Sequence, residues 1–250
     1  MSSQTNSSAA NPPRLLPVWL TPTLFIFGVL AALITEPVVN ANRERFFTPT
    51  GLPPFPPELL WKVFWDNVYN HSICYGFLGL VTCGLVGLAA GATINVTRAI
   101  LGAVEGAIVG LLAGAALGVA GWYWSEKVLG TINIDSMIKA ILIFVPFWFG
   151  LTLVACFLAL LITNRLSQFS KTILPALAYV TAAVVIYVGV ITVVFPADWP
   201  GQRLIPEFAR VRLVLEVTGC LGLVASVLAM LRATNRVETK IESPMETATS

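Results

Sequence analysis

The chain has 250 residues, of which 56% are hydrophobic and 11% are charged, and its mean hydropathy is +0.81. A soluble globular domain carries about 25% charged residues, so this composition excludes that class and predicts an integral membrane protein. The net charge of +2 is too small, and the Lys and Arg residues are too scattered, for a protein that binds nucleic acid.

Six apolar runs are long enough to cross the hydrocarbon core of a bilayer, which is about 30 Å thick. Continuous apolarity without period-two alternation favours helices, which satisfy their own backbone hydrogen bonds in lipid. The predicted fold is therefore an all-α bundle of six transmembrane helices within residues 17–232, between polar tails at 1–16 and 233–250. The predicted spans are residues 20–40, 73–92, 99–121, 138–162, 173–195 and 211–231.

The first span is predicted to be a retained signal anchor. Its apolar core at 24–34 continues into apolar residues on both sides, which makes the run longer than the core of most cleaved signal peptides. Glu36, beside Pro37 at the end of this span, is predicted to lie in the headgroup region.

The segment before the second span, FPPELLWKVFWDNVYNHS, begins with prolines suited to the first turn of a helix. Trp61, Phe64 and Trp65 follow at helical spacing, which predicts a short amphipathic helix lying on the membrane surface. These rings are typical of an aromatic belt, and a docking surface built from the loops is the functional alternative. His71, the only histidine, is predicted to be an interfacial polar side chain.

Glycine recurs at every fourth position of the third span, a pattern typical of a glycine zipper. With 3.6 residues per turn, these glycines form one stripe that lets a partner backbone approach closely. The second span carries Gly87 and Gly91, and the short connection predicts that the two spans pack as an antiparallel hairpin. Contact with a second copy of the chain or with another membrane protein is the alternative. The glycine stripe consists of Gly102, Gly106, Gly110, Gly114 and Gly118.

Glu105 interrupts the same apolar span and lies about 100° around the helix from the stripe. Arg98 is its nearest basic residue on that helix. In a structural interpretation, the carboxyl is hydrogen-bonded to a neighbouring helix or snorkels to the interface. In a functional interpretation, Glu105 and Arg98 form a site that binds a cation or carries a proton, because ionisable residues inside a membrane usually mark such sites.

Arg212 and Glu216 are four residues apart near the start of the last span, and they are predicted to form an interfacial ion pair. The four cysteines lack metal-binding spacing and are predicted to be buried small hydrophobic residues. No catalytic, phosphate-binding or metal-binding motif is present in the sequence, so we predict neither an enzyme nor a cofactor.

An even number of spans places both tails on one side of the membrane. The two sides carry seven and eight of the 15 Lys and Arg residues, so the count alone does not orient the chain. Compact connections with basic residues at helix ends favour cytoplasmic tails and a plasma or inner membrane. The sequence predicts a structural or accessory protein that packs in the lipid bilayer with itself or another membrane component. A small transporter or channel that uses Glu105 is the alternative.

Overall fold

The computed structural model describes residues 17–45, 56–195 and 204–246, and no strand occurs in these three ranges. The predicted tail at residues 1–16 lies outside them. A π-helical turn at Trp124–Val128 and 3₁₀ turns at Leu129–Thr131 and Leu166–Gln168 lie between longer helices. The long helices are α1 (Leu20–Arg45), α2 (Pro57–Ala92), α3 (Val96–Tyr123), α4 (Ser136–Ile162), α5 (Phe169–Val194) and α6 (Ala209–Glu246).

All six helices are long and apolar enough to cross a membrane, which confirms the predicted number of spans. The shortest apolar stretch, Leu20–Asn42, has 23 residues, and a helix of about 20 residues crosses the hydrocarbon. These helices indicate an integral membrane protein with several membrane passes.

Helix α2 differs from the prediction, because it runs without interruption from Pro57 to Ala92. The segment expected to form a separate surface helix is the N-terminal half of α2. Proline is tolerated in the first turn, and no proline follows that would break the helix. Its 36 residues rise about 54 Å, so part of α2 extends beyond a hydrocarbon layer about 30 Å thick.

The aromatic residues of this N-terminal half do not all face one way. Phe64 packs against Trp122 of α3, with their ring centroids 5.4 Å apart. Trp61 and Trp65 remain 64% and 39% exposed. The aromatic segment therefore extends the contact between α2 and α3 and also presents two indoles to the surroundings.

Helix α6 also exceeds its predicted span, which ends at residue 231. The helix continues to Glu246, through most of the segment predicted to be a polar tail. Residues 247–250 lie outside the described part of the chain.

Helix α4 lies at the centre of the bundle, where it packs against α2, α3, α5 and α6. Helix α1 packs against α2 and α6, and α3 lies at the edge against α2 and α4. The core on α4 is built from large side chains such as Phe144, Phe147 and Trp148, all at most 2% exposed. Since α3 is peripheral, the face of α3 opposite the hairpin points away from the protein core.

The glycine stripe of α3 faces α2 of the same chain. A Cβ atom built on any of the five glycines would collide with backbone atoms of α2. Residues 93–95 connect the two helices, and this short connection makes them antiparallel neighbours. Every fourth residue of α3 meets every fourth residue of α2. The facing pairs are Gly118 with His71, Gly114 with Tyr75, Gly110 with Gly79, Gly106 with Cys83, Gly102 with Gly87, and Arg98 with Gly91.

Polar residues in the connections set several helix ends. The side chain of Asn95 accepts a hydrogen bond from the backbone N–H of Arg98 at 2.8 Å and caps the start of α3. Asp135 caps α4 in the same way by accepting from Met137 N at 2.8 Å. Asn164, with φ of 59°, adopts the left-handed conformation just after α4 ends, which asparagine tolerates better than most residues.

Candidate functional site

Arg212 lies in the first turn of α6 with its side chain only 2% exposed. A guanidinium keeps its charge and carries five N–H donors, so its burial requires acceptors. All five donors have one within 3.3 Å. Nε and Nη2 donate to the two carboxylate oxygens of Glu36, Nη2 also donates to Asn40 Oδ1, and Nη1 donates to the carbonyl oxygens of Pro206 and Glu207.

Glu36 and Asn40 are four residues apart on α1, so both side chains lie on the face that meets α6. Glu36 binds Arg212 through both oxygens, with Oε1 at 2.8 Å from Nη2 and Oε2 at 3.3 Å from Nε. Such two-point pairs fix orientation as well as add energy. The pair therefore ties the first membrane helix to the last.

The structure does not form the predicted ion pair between Arg212 and Glu216. Arg212 pairs with Glu36, and its remaining donors are occupied by Asn40 and backbone carbonyls. An arginine four residues before a glutamate is the less favourable order on a helix, which weakens the competing contact. Glu36, expected in the headgroup region, lies inside this cluster, with its side chain 16% exposed.

Glu216 lies one turn beyond Arg212 and is 6% exposed. Its Oε2 atom is buried and has no hydrogen-bond partner among the described residues. A small cavity adjoins it between α1, α2, α4 and α6, with about 10 Å³ of space for the centre of a water-sized molecule. That is about what one water molecule requires. Trp148 also lines this cavity, and its buried Nε1 has no partner in the described ranges either.

The segment that precedes α6 covers the cavity. Leu204 and Ile205 are 1% and 8% exposed although they lie outside any helix. The hydroxyl of Tyr75 donates to the carbonyl oxygen of Leu204, while Arg212 donates to that of Pro206. Hydrogen bonds from α2 and α6 therefore hold this segment in place.

His71 lies buried in the contact between α2 and α3. It is 6% exposed, and its Nδ1 lies 2.8 Å from the carbonyl oxygen of Asn67. Its ring centroid is 6.3 Å from that of Tyr75 and 5.9 Å from that of Trp122. The continuity of α2 explains this burial, because it carries His71 against Gly118. Among the described residues, no group of three His, Cys, Asp or Glu could hold a metal ion.

The structure places Glu105 and Arg98 on the exposed face of α3. Leu101, Val104 and Ile108 surround Glu105 on this face and are 47%, 52% and 55% exposed. Within the described residues, the Glu105 carboxyl makes no hydrogen bond or ion pair. Neither Glu105 nor Arg98 lines the cavity beside Glu216.

Hydropathy and helical spacing did not predict the buried cluster of Glu36, Asn40 and Arg212. A signal was present, because Glu36 and Asn40 form a polar pair at helical spacing in the last turns of an apolar span. The acceptor and donor of the ion pair are 176 residues apart, however, and spacing along one helix does not indicate such a partner.

No protein-family model, no curated protein and no solved structure matches the chain.

Proposed function

We propose that the protein is a structural or accessory component of a membrane assembly and binds a partner helix through the outer face of α3. The observation that carries this proposal is the position of Glu105. Its carboxyl lies in an exposed apolar surface that faces away from the protein's own core. The outer face of α3 is defined by Ile100, Leu101, Val104, Glu105, Ile108 and Leu112.

Depth makes this carboxyl costly to leave in lipid. Glu105 is nine residues beyond the first residue of α3, which corresponds to about 13 Å along the helix axis. With the first turn of α3 at the edge of a hydrocarbon core about 30 Å thick, Glu105 would lie near the middle, where a short glutamate side chain does not reach either interface easily. Ionisable residues at such depth usually face protein or a partner group. A second polypeptide that covers the outer face of α3 would supply that group.

The glycine stripe is not free to make this contact. Its glycines face α2 of the same chain, so they are not available for the alternative contact with a second copy or another membrane protein. We infer that the α2–α3 hairpin acts as a glycine zipper, because glycine allows the two backbones to touch. Close packing of this kind would hold the outer face of α3 in a defined position.

The chemistry of the face favours a different protein over a second copy. Two copies with the same membrane orientation are related by an axis along the membrane normal, which would bring Glu105 against Glu105. Two ionised Glu105 carboxylates in contact would repel each other, whereas Lys, Arg, Asn or Gln on a different partner helix would pair with the carboxyl. Arg98 lies two turns away on the same face and would suit an acidic group on that partner.

Cation or proton handling by Glu105 is the alternative function. A transport site would need a polar cavity beside the carboxyl. Glu105 does not line the cavity beside Glu216, and its neighbours on α3 are apolar. These contacts favour the assembly role.

Site-specific photocrosslinking in native membranes tests the proposal. A photoreactive residue at position 108, next to Glu105 on the outer face, should crosslink to one defined membrane protein. The same residue at position 174, where Leu174 of α5 is 76% exposed, is the matched control and should crosslink to lipid. Glu105→Ala should abolish the protein crosslink, and the captured helix should carry a basic or amide side chain.

A charge exchange completes the experiment. Glu105→Lys should abolish the crosslink, and an acidic substitution at the partner's complementary position should restore it. Crosslinks to lipid alone at position 108, or crosslinks unchanged by Glu105→Ala, would contradict the assembly role. A crosslink to a second copy of this chain would replace the proposed partner with a homo-oligomer.

A further inference from the structure

Glu216 is a buried acid that forms no ion pair with any residue in the described ranges. The only cation within one helical turn of it on α6 is Arg212, and all five N–H donors of Arg212 are used by other acceptors. The guanidinium of Arg212 lies near both Glu36 and Glu216, but it already binds Glu36 through both carboxylate oxygens. An ionised Glu216 would be an unpaired charge in the bundle, which is strongly unfavourable.

The cavity provides a donor and an acceptor that complement each other. Trp148 and Glu216 both line it, and the buried atoms Trp148 Nε1 and Glu216 Oε2 each have no hydrogen-bond partner among the described residues. The indole of Trp148 packs directly on Gly219 of α6, one turn beyond Glu216. This contact places the indole and the carboxyl on the same side of α6 and next to the same cavity.

We propose that Glu216 is a proton-binding site, and that one water molecule in the adjoining cavity joins its carboxylic acid group to the Trp148 N–H. The bound proton removes the unpaired charge without any need for a second cation. The water accepts a hydrogen bond from Trp148 Nε1–H and also interacts with the protonated carboxyl. A cavity with space for about one water molecule and with such polar groups meets the requirements for a buried water.

The groups around Glu216 favour a proton over a metal cation. A sodium-sized ion needs several oxygen ligands, whereas Trp148 offers only an N–H donor. The carbonyl oxygens of Leu204 and Pro206 already accept hydrogen bonds from Tyr75 and Arg212. Among the described residues, the titratable and charged groups around Glu216 are Glu36 of α1, Cys74 and Tyr75 of α2, and Arg212 and Cys220 of α6.

Infrared spectroscopy of the full chain in lipid nanodiscs tests this site. At neutral pH, the wild-type protein should show the carbonyl stretch of a protonated carboxyl group, and Glu216→Gln should remove that band. Glu58→Gln, which alters an exposed acid near the start of α2, is the matched control and should leave the band unchanged. Trp148→Phe removes the N–H donor, so the band should persist and shift in frequency.

Several results would overturn the proposal. A wild-type spectrum without a protonated carboxyl at neutral pH, or a band whose intensity Glu216→Gln leaves unchanged, would exclude proton binding at Glu216. Because glutamine resembles the neutral acid in shape, a Glu216→Gln protein that fails to fold would also contradict it. Loss of the band on replacing potassium with sodium at constant pH would reveal a cation site instead. An identical band in Trp148→Phe would exclude the bridging water.

Discussion

The guanidinium of Arg212 and the carboxylate of Glu36 meet at 2.8 Å between Nη2 and Oε1, although 176 residues separate them in the chain. This contact joins α1 to α6 and brings Asn40 and two backbone carbonyls to the same cation. Because the group is buried in the bundle, each member depends on the others for its hydrogen bonds. Substitutions there should therefore have large and coupled effects.

Removing either partner leaves the other charge buried and unpaired. We expect Glu36→Gln and Arg212→Met each to lower the free energy of unfolding by about 3–5 kcal/mol. The double variant should lose less than the sum of the two single losses, because the partners are in contact. Unfolding in mixed detergent micelles, followed by circular dichroism, measures these values. Arg98→Met, at an exposed position, is the control, and additive losses in the double variant would show that the pair is not coupled.

The hairpin of α2 and α3 should not tolerate a side chain at the stripe. A Cβ on Gly110 would collide with the backbone of Gly79 and lie 2.6 Å from the Cβ of Cys83. Gly110→Ala should therefore lower stability by about 1–3 kcal/mol through overpacking. Among the described residues, no atom lies within 4 Å of a Cβ built on Gly189 of α5, so Gly189→Ala should leave stability unchanged or raise it slightly. Equal unfolding midpoints for both variants would contradict close packing of the hairpin.

The hydroxyl of Tyr75 should anchor the segment that precedes α6. Tyr75→Phe leaves the buried carbonyl of Leu204 without this donor, at a cost of about 1–3 kcal/mol. Hydrogen exchange, measured by mass spectrometry, should accelerate in peptides that cover residues 204–208. Tyr187→Phe is the matched control, since the Tyr187 hydroxyl has no partner in the described part of the chain. Faster exchange in both variants, or in neither, would argue against the anchor.

Asp135 should stabilise the start of α4 by capping. Its carboxylate accepts hydrogen bonds from Met137 N at 2.8 Å and Ile138 N at 3.4 Å. Asp135→Ala should cost about 1 kcal/mol, whereas Asp135→Asn should retain most of the stability because asparagine caps comparably well. Chemical or thermal unfolding of the two variants compares them directly, and equal losses would show that charge rather than capping matters.

Cysteine labelling should reveal the orientation in the membrane. The native cysteines at positions 74, 83, 156 and 220 are at most 1% exposed, so they should not react in the folded protein. Thr97, in the first turn of α3, and Ser167, in the turn between α4 and α5, lie at the end of the bundle predicted to face the cytoplasm. We expect an impermeant maleimide to label Thr97→Cys and Ser167→Cys only from the cytoplasmic side. Thr131→Cys should be labelled only from the opposite side. The reverse pattern would invert the predicted topology.

Local properties of the chain predicted several features well. Hydropathy is a sum over neighbouring residues, so six apolar runs were enough to identify six helices. The predicted surface helix was wrong because nothing in the segment between Pro57 and Gly76 interrupts a helix, and α2 simply continues through it. Sequence spacing placed Glu105 away from the stripe, but it did not show that this flank lies on the outside of the bundle.

The sequence by itself determined the class of protein, the number of apolar helices and the spacing of the glycines. Composition indicates the class, and hydropathy and periodicity are local properties that a few helical turns suffice to show. Only the tertiary structure decided that Arg212 binds Glu36, that Glu216 has no ion-pair partner in the part of the chain that is described, and that Trp148 lines the same cavity as Glu216. These relationships depend on which faces of distant helices meet. Periodicity identifies the faces of each helix, but the partner of each face is set by packing of the whole bundle.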